Sequence, residues 1–273
     1  MTRLAAVVGW PVTHSRSPAI HNAGFEAIGF DAEYVTMPVA PDEGVGVPAT
    51  MRERDMLGIS VTMPHKDAVM AGCDRATEAA AALGAANCLF WHEAALWADN
   101  TDGQGFVRGL AYELDVDPNG MRCAVVGAGG AARAVVRALA DAGASHVVVV
   151  NRSPERAEAA AAHAGERGVV GSSGDIASCD LVVNATPIGM ADTDQAGGVP
   201  FDPELLSDHA VVSDLIYHPT ETPLLAAAAS AGLRHQNGLA MLVHQAAVQF
   251  EHWTNHDAPI AAMTAAVADS PTS

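Results

Sequence analysis

Short apolar runs alternate with alanine-rich stretches of helical composition along almost the whole chain, and this alternation narrows the possible folds more than any other feature. Strand candidates lie at residues 4–9, 33–37, 57–62, 87–91, 123–126, 146–150, 181–184 and 211–215. Segments such as 131–142 and 154–164 have helical composition between them. A strand followed by a crossover helix and a parallel strand is the unit that repeats in this way, so the expectation is an α/β fold with doubly wound parallel sheets. A length of 273 residues leaves room for two domains.

A new strand–glycine-loop–helix unit begins after Asp117-Pro118-Asn119-Gly120, which places a boundary near residues 102–105. That unit is complete by about His235, and the helical segment after Gly238 is expected to return to the first domain. The expected organisation is therefore an N-terminal α/β substrate domain, residues 1–103 completed by 238–273, and a Rossmann-type domain at 104–237. A cleft is expected to separate them, the usual place for a ligand.

The formal charge of −18 argues against nucleic acid or an anionic membrane as partner. No segment approaches the roughly 18 consecutive apolar residues of a membrane span. Met1-Thr2-Arg3-Leu4 leads straight into a strand candidate with no hydrophobic signal region, so a cytoplasmic location is expected. The four cysteines, Cys73, Cys88, Cys123 and Cys179, are too widely spaced for a zinc pattern and are expected as reduced thiols. His252 and His256 stand four apart without an accompanying HExxH motif, and no metal site is expected.

The segment Val125-Val126-Gly127-Ala128-Gly129-Gly130-Ala131-Ala132-Arg133 fits the G-x-G-x-x-G/A fingerprint, with Gly127, Gly129 and Ala132 at its key positions. It follows a strand and opens a helix, so glycines can bring the backbone close to a pyrophosphate that the helix N-terminus attracts. The next strand ends in Asn151-Arg152-Ser153-Pro154-Glu155-Arg156. An NAD-binding protein usually has a carboxylate there, on the ribose 2′-hydroxyl. Here Arg152 and Arg156 can pair with a 2′-phosphate instead, which points to NADP. Ser153 and Pro154 suit an N-cap and first helical position. Asn184-Ala185-Thr186-Pro187 closes a later strand, where loops lie over the ligand crevice.

In the first half, polar clusters fall at strand ends and helix starts: Gly9 to Pro18, Ser60 to Lys66, Gly84 to Asn87 and Asp99 to Gly103. Ser17 before Pro18 reads as an N-cap, which sets Ser15 and Ser17 at a helix N-terminus suited to a carboxylate. Thr62 and Asn87 are among the groups that a hydroxyl-rich substrate would need. Oxidising an alcohol by hydride transfer also needs a proton acceptor, and Lys66 and Asp102 are the candidates. Lys66 is the only lysine among 14 cationic side chains. A lysine kept where arginine serves everywhere else suggests a task that guanidinium cannot perform, and reversible proton transfer is one.

Together these clusters resemble the shikimate dehydrogenase family. The pattern G-x-P-[IV]-x-H-S-x-S-P is met by Gly9 to Pro18, [NS]-V-T-x-P-x-K by Ser60 to Lys66, and N-T-D-G by Asn100 to Gly103. The glycine loop, Asn151-Arg152-Ser153, Asn184 to Pro187, Asp214 to Tyr217 and Gly238 to Ala246 agree in order and spacing. The resemblance implies NADP-dependent oxidation of shikimate, with Ser15, Ser17 and Tyr217 on the carboxylate. It implies Thr62, Asn87, Asp102 and Gln245 on the hydroxyls, Lys66 and Asp102 as the catalytic pair, and Lys66 as proton acceptor. It places the cofactor on Gly127, Ala128, Gly129, Gly130, Ala131 and Ala132, with Asn151, Arg152, Ser153 and Arg156 around the 2′-phosphate. Thr186 and Gly238 would line the nicotinamide side. Ser60 stands where the commonest family sequence has Asn, and Cys88 where Thr is usual, so the alternatives are quinate or an amino analogue of shikimate as substrate. A shikimate-sensing module without turnover is a further alternative. The expected partner is the small-molecule substrate, with a homodimer as the oligomeric form.

Overall fold

The structure, a computed structural model, describes residues 2–191 and 193–268. The chain divides into two compact units, Met1–Thr101 with Val243–Ser273, and Asp102–Leu242. The divisions thus fall at 101/102 and 242/243, where the sequence suggests 103/104 and 237/238. The second lies inside a continuous helix, which no change in composition marks.

In the first unit the strands are β1 (Arg3–Gly9), β2 (Ala32–Pro38), β3 (Gly58–Val61), β4 (Arg75–Ala76), β5 (Cys88–His92) and β6 (Ala95–Asp99). They form one sheet in the order β2-β1-β3-β5-β6-β4. The helices α1 (Ser17–Ile28), α2 (Val47–Glu53) and α3 (Glu78–Leu83) connect them. Pairings β1–β2 and β1–β3 are parallel, but β5 runs antiparallel to both β3 and β6. The all-parallel expectation therefore fails in this unit. The hairpin turn at Glu93 and Ala94 has φ of 50° and 62°, and β6 lies outside the strand candidates. A two-residue turn of this kind favours Asn-Gly or Asp-Gly, and Glu-Ala carries no such signal.

The second unit opens with α4 (Asp102–Leu114) and continues β7 (Arg122–Val126), α5 (Gly130–Asp141), β8 (His146–Val150), α6 (Pro154–Ala161), β9 (Gly168–Val170), β10 (Leu181–Asn184), β11 (Val211–Asp214), α7 (Pro223–Ser230) and β12 (Arg234–Gln236). Its sheet is wholly parallel in the order β12-β11-β10-β7-β8-β9. From the other edge this is the order 3-2-1-4-5-6, the doubly wound dinucleotide arrangement, with its switch point between β7 and β10. The central strands are buried on both faces. Val125, Val147, Val149, Leu181 and Val183 join one core, and Ala124, Val126, Val148, Val182 and Val212 the other. That two-sided burial is why these strands read as continuous apolar runs.

A sixteen-residue helix, α8 (Leu239–Thr254), passes from the second unit into the first, and α9 (Ile260–Ala268) follows it. Within the first unit the last turns of α8 lie against the sheet. The indole N–H of Trp253 donates to the Leu89 carbonyl at 3.1 Å, and its ring covers Gly58, where an added Cβ would lie 2.1 Å from Nε1. Gly103 serves the second unit similarly. Its Cβ would lie 2.7 Å from the Ala134 carbonyl oxygen, so glycine allows α4 to approach α5.

Candidate active site

The glycine loop of the second unit is built by close backbone approach. Gly127 has φ of +118°, its N–H donates to the Val150 carbonyl at 2.9 Å, and a Cβ there would meet the Ala185 carbonyl oxygen at 2.8 Å. No other residue fits this position without strain. Gly129 and Gly130 differ, because nothing lies within 4 Å of where their Cβ atoms would be. Gly129 N-caps α5 without any side-chain hydrogen bond to its first turn. Helix N–H groups, the open face of two glycines and the buried Ala132 beneath them make an anion cradle of the kind a pyrophosphate fills. Ala128 is half-buried and Ala131 likewise.

Beyond β8, Asn151 donates its side-chain N–H to the Ser153 carbonyl at 3.1 Å, and Ser153 accepts from the Arg156 N–H at 3.4 Å to cap α6, as its sequence suggests. Arg152 and Arg156 are both exposed. Among the described residues neither guanidinium has an ion-pair partner, so two arginines stand uncompensated at the strand end where dinucleotides carry the adenosine ribose.

Thr186 is held by a buried polar chain. Asn184 Oδ1 accepts from the Thr186 N–H at 3.0 Å and hydroxyl at 2.7 Å, and Asn184 Nδ2 donates to Asp214 Oδ1 at 2.9 Å. Asp214 also accepts from the Ile216 N–H at 3.1 Å and the Thr222 hydroxyl at 2.7 Å. Burial pushes the Asp214 carboxyl above its ordinary value, because its neutral donors only partly offset the desolvation. Gly238 is buried with its N–H on the Ile216 carbonyl at 3.0 Å, and a Cβ would lie 2.1 Å from the Leu215 carbonyl oxygen. Tyr217 is exposed.

In the first unit, Ser17 is the first residue of α1 rather than its cap. The cap position is Arg16, in helical geometry and with no side-chain hydrogen bond to the first turn. Ser15 Oγ accepts from the Ser17 N–H at 3.2 Å. The Ser-Pro pair suggests a cap because proline favours the first turn, and here proline occupies its second position. Thr62 follows β3 with its N–H on the Val8 carbonyl at 2.9 Å, and its methyl fills the space left by Gly9. Lys66 is half-buried, and its carbonyl accepts from the Ala86 N–H at 2.6 Å. Asp102 is buried at the start of α4 in the second unit.

Asn87 and Gln245 meet in one network. The Thr101 N–H donates to Asn87 Oδ1 at 2.8 Å, and Asn87 Nδ2 lies 3.4 Å from Gln245 Oε1. Gln249, one helical turn beyond Gln245, donates from Nε2 to Gln245 Oε1 at 2.9 Å and to the Asn87 carbonyl at 3.2 Å. Its Oε1 accepts from the Ser60 hydroxyl, which in turn accepts from Tyr34 at 2.6 Å. Tyr34 and Gln249 lie outside all of the sequence motifs. The i, i+4 spacing of two glutamines on one helix is the available signal. His252, first noted with His256, is instead paired with Asp99 at 2.9 Å and stacked on Phe90.

The second unit thus has the doubly wound fold of dinucleotide-binding α/β proteins, with two exposed arginines at the end of β8. Family models for the shikimate dehydrogenase substrate binding domain, shikimate / quinate 5-dehydrogenase and the shikimate 5′-dehydrogenase C-terminal domain match residues 7–89, 111–188 and 238–268. The chain is 42% identical to the shikimate dehydrogenase (NADP(+)) of Citrifermentans bemidjiense, over 98% of this chain and 95% of that one. The Thermus thermophilus shikimate 5-dehydrogenase, solved with NADP(H) and shikimate, superposes with a TM-score of 0.88 at 34% identity, covering 97% of this chain and 98% of that one. A quinate dehydrogenase from Corynebacterium glutamicum, solved with NAD, gives 0.89 at 30% identity, over 98% and 99%. This chain belongs to the shikimate dehydrogenase family.

Proposed function

We propose that the protein catalyses the reversible, NADP-dependent oxidation of shikimate to 3-dehydroshikimate, working in aromatic amino-acid synthesis in the reducing direction. The observation that carries this most strongly is the 42% identity over nearly the full chain, joined to two uncompensated arginines at the end of β8. NADP, when bound, supplies the hydride acceptor. The pyrophosphate would rest on residues 127–132, the 2′-phosphate between Arg152 and Arg156 beside Asn151 and Ser153, and the nicotinamide near Thr186 and Gly238.

In the substrate role, Ser15, Ser17 and Tyr217 would hold the carboxylate, while Thr62, Asn87, Asp102 and Gln245 would bind the ring hydroxyls. Lys66 would accept the hydroxyl proton as the carbinol hydrogen leaves as hydride, and Asp102 would orient the same hydroxyl. Residues 1–103 with 238–273 would form the substrate domain and 104–237 the cofactor domain. No helix among the described residues is long and apolar enough to cross a membrane. A cytoplasmic location and a homodimer complete the proposal, the latter to be checked by sedimentation.

The test follows nicotinamide absorbance with shikimate or quinate crossed against NADP⁺ or NAD⁺. Rapid reduction with shikimate and NADP⁺ is expected, and replacing both Arg152 and Arg156 with alanine should raise the NADP⁺ KM at least about tenfold while leaving that for NAD⁺ near its starting value. Preference for quinate would replace the substrate and keep the chemistry. A faster reaction with NAD⁺ would refute the role given to the arginines.

A further inference from the structure

Gln249 is 1% exposed and lies beyond the motif that runs from Gly238 to Ala246, yet every polar atom of its side chain is engaged. The orientation of its amide follows from chemistry. The main-chain carbonyl of Asn87 can only accept, so the end of Gln249 that lies 3.2 Å from it must be the NH2. That same NH2 is 2.9 Å from Gln245 Oε1 and 3.3 Å from Thr101 Oγ1. The opposite end, Oε1, accepts from Ser60, whose hydroxyl therefore takes its own second hydrogen bond from Tyr34.

This fixed amide orients a second one. Facing the NH2 of Gln249, and with Asn87 Nδ2 at 3.4 Å on the same atom, Gln245 must turn its oxygen inward. Its Nε2 then points away from Gln249, at the opposite edge of the planar amide. A flipped Gln245 would set two NH2 groups against each other in a buried place, which is strongly disfavoured.

We propose that Gln249 is a positioning residue: it holds Gln245 in the one amide orientation that offers N–H donors to a substrate hydroxyl, and Ser60 with Tyr34 anchors it from behind. The proposal rests on the assignment of Gln245 to substrate binding given above. It also supplies a role for Ser60, one of the two positions at which this chain departs from the commonest family sequence. A serine that accepts from Tyr34 and donates to Gln249 satisfies both neighbours with a single hydroxyl. The consequence is selectivity, because a site with a fixed donor rejects an analogue that lacks the hydroxyl more strongly than a site whose amide can flip.

The experiment is a double-mutant cycle on the full-length protein, with KM and kcat measured for shikimate and for NADP⁺. Gln249→Met keeps the length and apolar packing of the side chain and removes its hydrogen bonds. It should raise the shikimate KM about five- to tenfold, as loss of one such hydrogen bond implies, with kcat and the NADP⁺ KM within about twofold. In a Gln245→Ala background the same change should move the shikimate KM less than about twofold, since there is no longer an amide to orient. Should Gln249→Met fold poorly, Ser60→Ala approaches the same amide from its other end and should raise the shikimate KM about threefold. Equal effects of Gln249→Met in both backgrounds would overturn the proposal, as would parallel rises in both KM values or an unchanged shikimate KM. An inactive wild-type protein would instead refute the assignment of shikimate as substrate, so the two failures are told apart by the first measurement.

Discussion

Each unit buries an aspartate at the end of a strand, and the two are treated oppositely. Asp99 in the first unit is buried, which alone would raise its carboxyl. The hydrogen bond from His252 at 2.9 Å, with Thr77 and the Asn100 N–H, outweighs that and holds it below its ordinary value. Asp214 in the second unit has only neutral donors, and desolvation prevails. The contrast extends to the two candidate binding regions. The first unit arranges side chains: Asn87, Gln245, Gln249, Ser60 and Tyr34 form a network in which the amide of Gln249 has a fixed partner at each end. The second arranges backbone, with a glycine loop, an uncapped helix and two exposed arginines. Ring hydroxyls must be met by donors and acceptors in register, whereas a polyphosphate is attracted by any well-placed N–H or guanidinium.

The sharpest way to break this comparison is at Lys66. Lys66→Ala should lower kcat about a thousandfold, within the usual range for a lost acid–base group, while NADP⁺ affinity measured by fluorescence stays unchanged. Turnover that survives the substitution would remove Lys66 from the chemistry. Gly127→Ala tests the backbone side. Left-handed φ together with an oxygen 2.8 Å from the new Cβ should destabilise the fold by about 3 kcal/mol, read as a lower denaturant midpoint. Gly129→Ala, with open space at its Cβ, should leave stability almost unaltered and raise the NADP⁺ KM.

The two aspartates give smaller effects with opposite signs. Asp99→Asn should cost about 2 kcal/mol at neutral pH, since the hydrogen bonds to a charged carboxylate are weakened. The folded Asp99 carboxyl lies below its ordinary 3.8, so its stabilisation is present above that pH and lost as pH falls through the folded value. Asp214→Asn should change stability at pH 7 by no more than about 1 kcal/mol, because neutral amides suit neutral donors. The folded Asp214 carboxyl lies above 3.8, so the native state holds the extra proton and stability declines as pH rises from there through the folded value. Denaturation curves from acid to neutral pH, flattened at the acid end by the first substitution and above it by the second, would check both signs.

How much of this is readable in the sequence depends on whether the information is local. The glycine loop, the cap at Ser153 and the strands 146–150 and 181–184 are encoded by neighbouring residues, and the structure has them in place. Ser17 reads wrongly as a cap because Ser-Pro is compatible with two neighbouring registers of the same turn. Strand β6 goes unread because its turn, Glu93-Ala94, adopts left-handed geometry without glycine or asparagine. Gln249 goes unread because its partners Ser60 and Asn87 are 189 and 162 residues away along the chain.

By itself, then, the sequence determined the doubly wound second unit, the glycine loop, the arginines after β8 and the family, because periodicity, turn chemistry and motif spacing are short-range properties. Only the tertiary structure decided which polar groups share a network, which way the amides of Gln245 and Gln249 face, and whether a buried aspartate is shifted up or down. Those outcomes depend on which groups from distant segments fill the space around each side chain once water has left it.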